Sequence, residues 1–152
     1  MKYILFMSFL LFIACQKSKD YQLVNNTFFH ADSLLGNPIK QDSLCQYVLI
    51  IPMEGCSGCK EKALLFSNKY VHNKKLKTVL STMQGKAFLQ VHLLRLNEKD
   101  MYLLDPKGYF IRQARVGQYP TLYEIKNKYI ISEKELYPEV ITKEIEVLEK
   151  NL

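Results

Sequence analysis

From Tyr47 the chain is continuously apolar, Tyr47-Val48-Leu49-Ile50-Ile51, rich in β-branched residues and long enough for one buried strand. Pro52 has no N–H to give to a ladder, so pairing is expected to end there. After a tight turn bracketed by Gly55 and Gly58, apolar residues return at helical spacing at Ala63, Leu64, Phe66, Tyr70 and Val71, which predicts an amphipathic helix from Cys59 onward. Asn73-Lys74-Lys75 interrupts this pattern, and residues 76–82 alternate as a second strand. Strand, helix and strand in that order imply a parallel pair with a right-handed crossover.

Downstream the pattern is less even. Residues 83–97 fit either a helix face carrying Phe88, Val91 and Leu94 or an extended run at 88–91. Asp105-Pro106-Lys107-Gly108 is a turn, and Tyr109-Phe110-Ile111 after it predicts a small hairpin-like excursion. Pro120 opens a strand over 121–125, and Asn127-Lys128 separates it from Tyr129-Ile130-Ile131, an antiparallel hairpin. Val140, Ile141, Ile145, Leu148 and Leu152 share one face of a C-terminal amphipathic helix over 138–152. Upstream, residues 21–29 are strand-like but interrupted by Asn25-Asn26. Leu34-Leu35-Gly36-Asn37-Pro38-Ile39 suggests a turn with a short strand, and Asp42-Ser43-Leu44 a single helical turn into Tyr47.

Composition changes this picture little. A formal charge of +6 is spread over lysines such as Lys60, Lys62, Lys74, Lys126 and Lys128, with acidic residues interleaved. No basic run alternates with aromatics, so a nucleic-acid face is not expected. There are no internal repeats, and the chain after residue 20 suits one domain, 21–152.

The chemistry sits in Cys56-Ser57-Gly58-Cys59. Cysteines three apart at a helix start share one face of the first turn, where a short disulfide ring can close. Cys56 lies beside the unpaired N–H groups and positive dipole of the helix start, which favours its thiolate. Cys59 lies one turn deeper, placed to attack a mixed disulfide formed by Cys56. Cys56 is therefore the candidate nucleophile and Cys59 the resolving cysteine. Two other readings stand beside this. The pair could be half of a zinc site, although no second pair follows and His72 and His92 lack finger spacing. It could also be a structural disulfide, although so short a ring gains little loop entropy. Cys45, two residues before the central strand, reads as a small buried hydrophobe.

The first fifteen residues, MKYILFMSFLLFIAC, read as a targeting segment. Lys2 is a minimal positive region, and residues 3–13 are apolar but shorter than the ~20 needed to span a bilayer. Ala14 followed by Cys15 resembles a bacterial lipoprotein signal, with Phe12 where that motif usually has Leu. The resemblance implies a signal peptide over 1–14, lipidation at Cys15, a polar tether over 15–20, and a membrane-anchored domain facing the periplasm or the cell exterior. An ordinary secretory signal is the alternative, weakened by the lack of an A-x-A site before Gln16.

The order of elements, the C-x-x-C, and Tyr119-Pro120-Thr121 ahead of the hairpin resemble the thioredoxin fold, an α/β architecture with a central mixed β-sheet flanked by helices. Leu34-Leu35-Gly36-Asn37-Pro38-Ile39 and Leu104-Asp105-Pro106-Lys107-Gly108 look more specifically like membrane-anchored, extracytoplasmic reductases of the TlpA type. That resemblance implies a thiol–disulfide oxidoreductase needing no cofactor beyond its Cys56–Cys59 disulfide. Its partners would be disulfide-bearing proteins and a membrane electron donor. It also implies that Pro120 is a cis-proline against the active-site disulfide, with the Tyr119 backbone bonding an extended substrate. Three features depart from the family: Met53-Glu54-Gly55 replaces the usual aromatic approach, Ser57-Gly58 lacks the common proline, and Ile50 stands where cytosolic thioredoxins bury an acid. Glu54 could substitute for that acid or be an exposed loop carboxylate. The alternatives to an enzyme are a thioredoxin-like metallochaperone, with His72 or His92 as third ligand, and a lipoprotein adaptor.

Overall fold

The computed structural model describes residues 28, 30–94, 96, 99–113 and 116–152. Its centre is β1 (Tyr47–Pro52), buried at every position after Tyr47. Leu49 and Ile51 enter one apolar cluster with Cys59, Ala63, Phe66, Leu80, Leu89, Ile141 and Leu148. Val48 and Ile50 enter the other, with Phe28, Ala31, Ile39, Val79, Phe110 and Tyr123. A strand covered on both faces needs no polar alternation, which explains its unbroken apolar run.

The short helix α1 (Pro38–Gln41) precedes β1, and α2 (Ser57–Lys69) leaves its far end. β2 (Leu76–Ser81) returns parallel to β1, in register from Tyr47↔Leu76 to Pro52↔Ser81. After α3 (Lys86–Leu93), the three-residue β3 (Leu103–Asp105) adds parallel to the outer side of β2. Following α4 (Tyr109–Gln113), β4 (Thr121–Lys126) pairs antiparallel with β1, and β5 (Tyr129–Glu135) antiparallel with β4. The sheet order is β3-β2-β1-β4-β5, and α5 (Ile141–Glu149) closes the chain against the first cluster. The expected parallel pair, the hairpin and the C-terminal helix are all present. The hairpin turns at Asn127 and Lys128 with φ 52 and 68, the left-handed pair whose twist matches that of the strands it joins.

β1 ends at Pro52, as expected, with Pro52↔Ser81 the last pair of its register with β2, and Met53 N–H adds one bond beyond it, to Ser81 O at 2.9 Å; three other expectations are corrected. Successive residues point to opposite neighbours, so Pro52 faces β4, whose pairing has already ended at Ile50. The turn expected within 34–39 is present at Leu35-Gly36-Asn37, but its flanks are helical, residues 30–34 before it and α1 after it, where a short strand was expected. Buried Asp32 accepts N–H bonds from Ile39 (3.2 Å) and Lys40 (2.9 Å), and Pro38 is preset for a first helical turn. Asp42-Ser43-Leu44 is not a helical turn of its own; Asp42 Oδ1 accepts the Leu44 N–H at 3.0 Å and turns the chain out of α1. Residues 109–111 form α4 rather than a hairpin, because fully buried Asp105 accepts the N–H groups of Tyr109 and Phe110, both at 2.9 Å. The ambiguous 83–97 region resolves as α3.

Candidate active site

Helix α2 begins at Ser57, two residues earlier than its apolar pattern indicates, with Cys56 in the N-cap position. The turn before it is held from several sides. Gly55 N–H donates to Pro52 O (3.2 Å), Lys60 Nζ to Met53 O (3.0 Å), and Cys56 N–H to Gln118 O (2.8 Å). The last bond brings the β1–α2 turn against the loop before β4. A Cβ on Gly55 would stand 2.1 Å from Gln118 O, so only glycine permits this approach. Gly55→Ala is expected to push the two loops apart and cost about 1–3 kcal/mol, as overpacking does, measurable as a lower urea midpoint at unchanged slope.

Both cysteines are present as thiols, and their surroundings differ. Cys56 is partly exposed, whereas Cys59 is 2% exposed within the first cluster. The Cys56 thiol is held below its ordinary 9.0, first by a hydrogen bond from the Cys59 side chain, then by the N–H groups of Cys59 and Gly58. Glu139 opposes this. Cys59 is pushed up to about 11, first by burial, then by the demand of Cys56 for its proton. The pair therefore has one thiol poised to ionise and one that keeps its proton. Ser57 and Gly58 between them are exposed.

Pro120 is buried at the head of β4, and its carbonyl accepts Leu136 N–H at 2.7 Å. No peptide bond among the described residues is cis, so the Tyr119–Pro120 bond is trans, contrary to expectation. Trans is the intrinsically favoured form of an X–Pro bond by about 0.5–1 kcal/mol. Tyr119 is half-buried, its carbonyl accepts Thr121 Oγ1 at 3.4 Å, and its ring meets Tyr137 edge-on at 6.4 Å. Gln118 and Glu139 act on Cys56, the first through its carbonyl and the second through its charge, without any signal in the sequence, since each lies in a loop far along the chain. Gly55 was the one local hint of a close neighbour.

Ile50 and Cys59 lie in different clusters, on opposite faces of β1. Glu54 does not replace the missing acid: it is exposed and bonds to the loop after β2. Cys45 is buried in the second cluster, donates Sγ–H to Tyr47 O at 3.4 Å, and is pushed up to about 12, chiefly by burial. It is a small buried hydrophobe there. A cleft of about 490 Å³ between α1 and the β4–β5 turn, lined by Lys40, Cys45, Lys126 and Lys128 among others, lies away from the C-x-x-C. Among the described residues no three of His, Cys, Asp and Glu gather as a metal site. His72 is exposed, and His92 lies on α3 against Phe88, with ring centroids 4.5 Å apart. Cys15 and residues 1–27 lie outside the described residues.

A parallel β1-α2-β2 unit opening at C-x-x-C, joined to an antiparallel β4-β5 hairpin and a closing helix, makes the fold thioredoxin-like. No protein-family model matches the sequence, and no curated protein matches it. Among solved structures, the chain is similar to a conserved protein of unknown function from Bacteroides fragilis, with TM-score 0.44 and 18% identity over 66% of this chain and 80% of that one. It is similar to a thioredoxin-like protein from Bacteroides caccae, with TM-score 0.42 and 17% identity over 68% of this chain and 40% of that one. A third is the C-terminal domain of an uncharacterised protein from Bacteroides fragilis, with TM-score 0.40 and 15% identity over 67% and 79% of the two chains.

Proposed function

We propose that this chain is a thiol–disulfide oxidoreductase that reduces disulfides of partner proteins. The observation that carries the reading is the asymmetry of the two thiols: Cys56 partly exposed and held below its ordinary value, Cys59 buried and pushed up to about 11. Cys56 thiolate attacks one sulfur of a partner disulfide, and the S–S bond passes to Cys56 as the other sulfur leaves as a thiolate and takes a proton. Cys59 then gives its proton to solvent and attacks Cys56 Sγ, which releases the second partner thiol and closes Cys56–Cys59. The two electrons gained by the partner come from the dithiol, so each cycle ends with a dithiol donor restoring it. Tyr119, next to Gln118, pairs edge-on with the exposed Tyr137, and the two rings would offer an extended peptide an aromatic surface.

The N-terminal reading joins this proposal. A signal peptide over 1–14, lipidation at Cys15 and a tether to residue 20 would hold the 21–152 domain outside the cytoplasm, in reach of a membrane electron donor and in the manner of TlpA-type proteins. Among the described residues no helix is long and apolar enough to cross a membrane.

The test is the equilibrium reduction potential of the Cys56–Cys59 pair, by thiol trapping of the full-length chain in detergent across glutathione buffers, with Cys45→Ser as control. A value near about −270 mV supports a reductase, and one near about −120 mV a disulfide donor. A pair that does not exchange at all overturns the catalytic reading.

A further inference from the structure

Glu54 stands two residues before Cys56, and its carboxyl reaches the loop after β2. One oxygen, Oε1, accepts the Thr82 hydroxyl, the Met83 N–H at 2.7 Å and the Gln84 N–H at 3.2 Å. The far end of this tie is firm. Thr82 is fully buried, and its N–H donates to Asp105 O at 3.0 Å. Met83 Sδ lies where a Cβ on Gly108 would be 2.4 Å away, and it accepts Arg112 Nε–H at 3.4 Å. On the other side, Cys56 N–H is tied to Gln118 O at 2.8 Å. The reactive turn is thus suspended between the loop after β2 and the loop before β4.

We propose that Glu54 is a positioning residue for Cys56, acting through the 82–84 loop, an inference that rests on Cys56 being the reacting thiol. The bonds that favour its thiolate come from Cys59 and Gly58 at the start of α2. Such bonds weaken steeply with distance and angle, so the sulfur must be held over that turn. Glu54 holds the turn from the β2 side, through one carboxylate oxygen that gathers three donors of the 82–84 loop.

The test is the pH profile of iodoacetamide alkylation at Cys56 in the reduced full-length chain, followed by peptide mass spectrometry. Glu54→Ala is expected to slow alkylation at pH 7 about tenfold and to move the midpoint toward that of an ordinary thiol. Glu54→Gln, which keeps the accepting oxygen and loses the charge, is expected to stay within about twofold of the parent. A Glu54→Ala profile that matches the parent overturns the proposal, and so does a Glu54→Gln defect as large as that of alanine. If Glu54→Ala does not fold, Thr82→Val removes one donor from the far side; slower alkylation supports the tie, and an unchanged profile overturns it. Alkylation needs no partner disulfide, so a chain that fails to exchange sinks the redox reading and leaves this result standing.

Discussion

Replacing Cys56 with alanine is expected to abolish turnover of partner disulfides, a loss on the order of a thousandfold or more, because the other thiol at the site, Cys59, is buried and keeps its proton. The two Cys59 variants separate what that residue does. Cys59→Ala removes the hydrogen bond that is the largest cause of the low Cys56 value, so Cys56 alkylation should shift its midpoint up toward 9.0. Cys59→Ser keeps a hydroxyl donor and should hold the midpoint down. Both variants should accumulate a mixed disulfide, visible on a non-reducing gel, since neither can resolve it. The same shifts set the pH dependence of stability in the dithiol form. Cys56, lowered on folding, contributes stability that is present above 9.0 and is lost as pH falls through its folded value. Cys59, raised from 9.0 to about 11, contributes stability that is complete below 9.0 and is lost as pH rises through about 11.

The largest stability effect is expected at Asp105→Ala. This side chain is fully buried and accepts Ser81 Oγ at 2.7 Å and the N–H groups of Tyr109 and Phe110, both at 2.9 Å. Alanine leaves two buried donors and one half-buried donor without this partner and removes what starts α4. Each orphaned donor costs about 1–3 kcal/mol, and partial access of water to the gap reduces the sum, so the expected loss is roughly 3–5 kcal/mol. Urea denaturation at neutral pH would show it as a fall in midpoint. Asp105→Asn, which retains one acceptor oxygen, should recover part of the loss. A decrease below about 1 kcal/mol would mean that α4 is started by something other than this side chain.

What was legible in the sequence follows from which signals are local. The apolar run at 47–51, the helical spacing after Cys59 and the turn at Asn127-Lys128 each state their own structure, and the β1-α2-β2 unit and the hairpin follow from them. The places that misled are those where one side chain acts across several residues. Asp32 reaches Ile39 and Lys40, and Asp105 reaches Tyr109 and Phe110, so helices form where turn residues dominate the local pattern. The C-x-x-C was plain, but its surroundings were not. Gln118 and Glu139 reach it only through the pairing of β1 with β4 and of β4 with β5, a property of the sheet and not of any short stretch. The Tyr119–Pro120 bond is trans, following the intrinsic preference of an X–Pro bond and not the cis form that the family resemblance implies.

The burial of Cys59 has a consequence for timing. Burial, the first cause of its raised value, persists while Cys56 is tied up in the mixed disulfide, so this thiol still ionises reluctantly at the second step. Ile50, on the opposite face of β1, offers no group to take the proton. In the proposed reaction the first attack would be quick and the second slow, with the partner covalently held in between. Such a chain would be a slow releaser, whose captured partners could be isolated by acid quenching from the wild-type protein, without a trapping mutation.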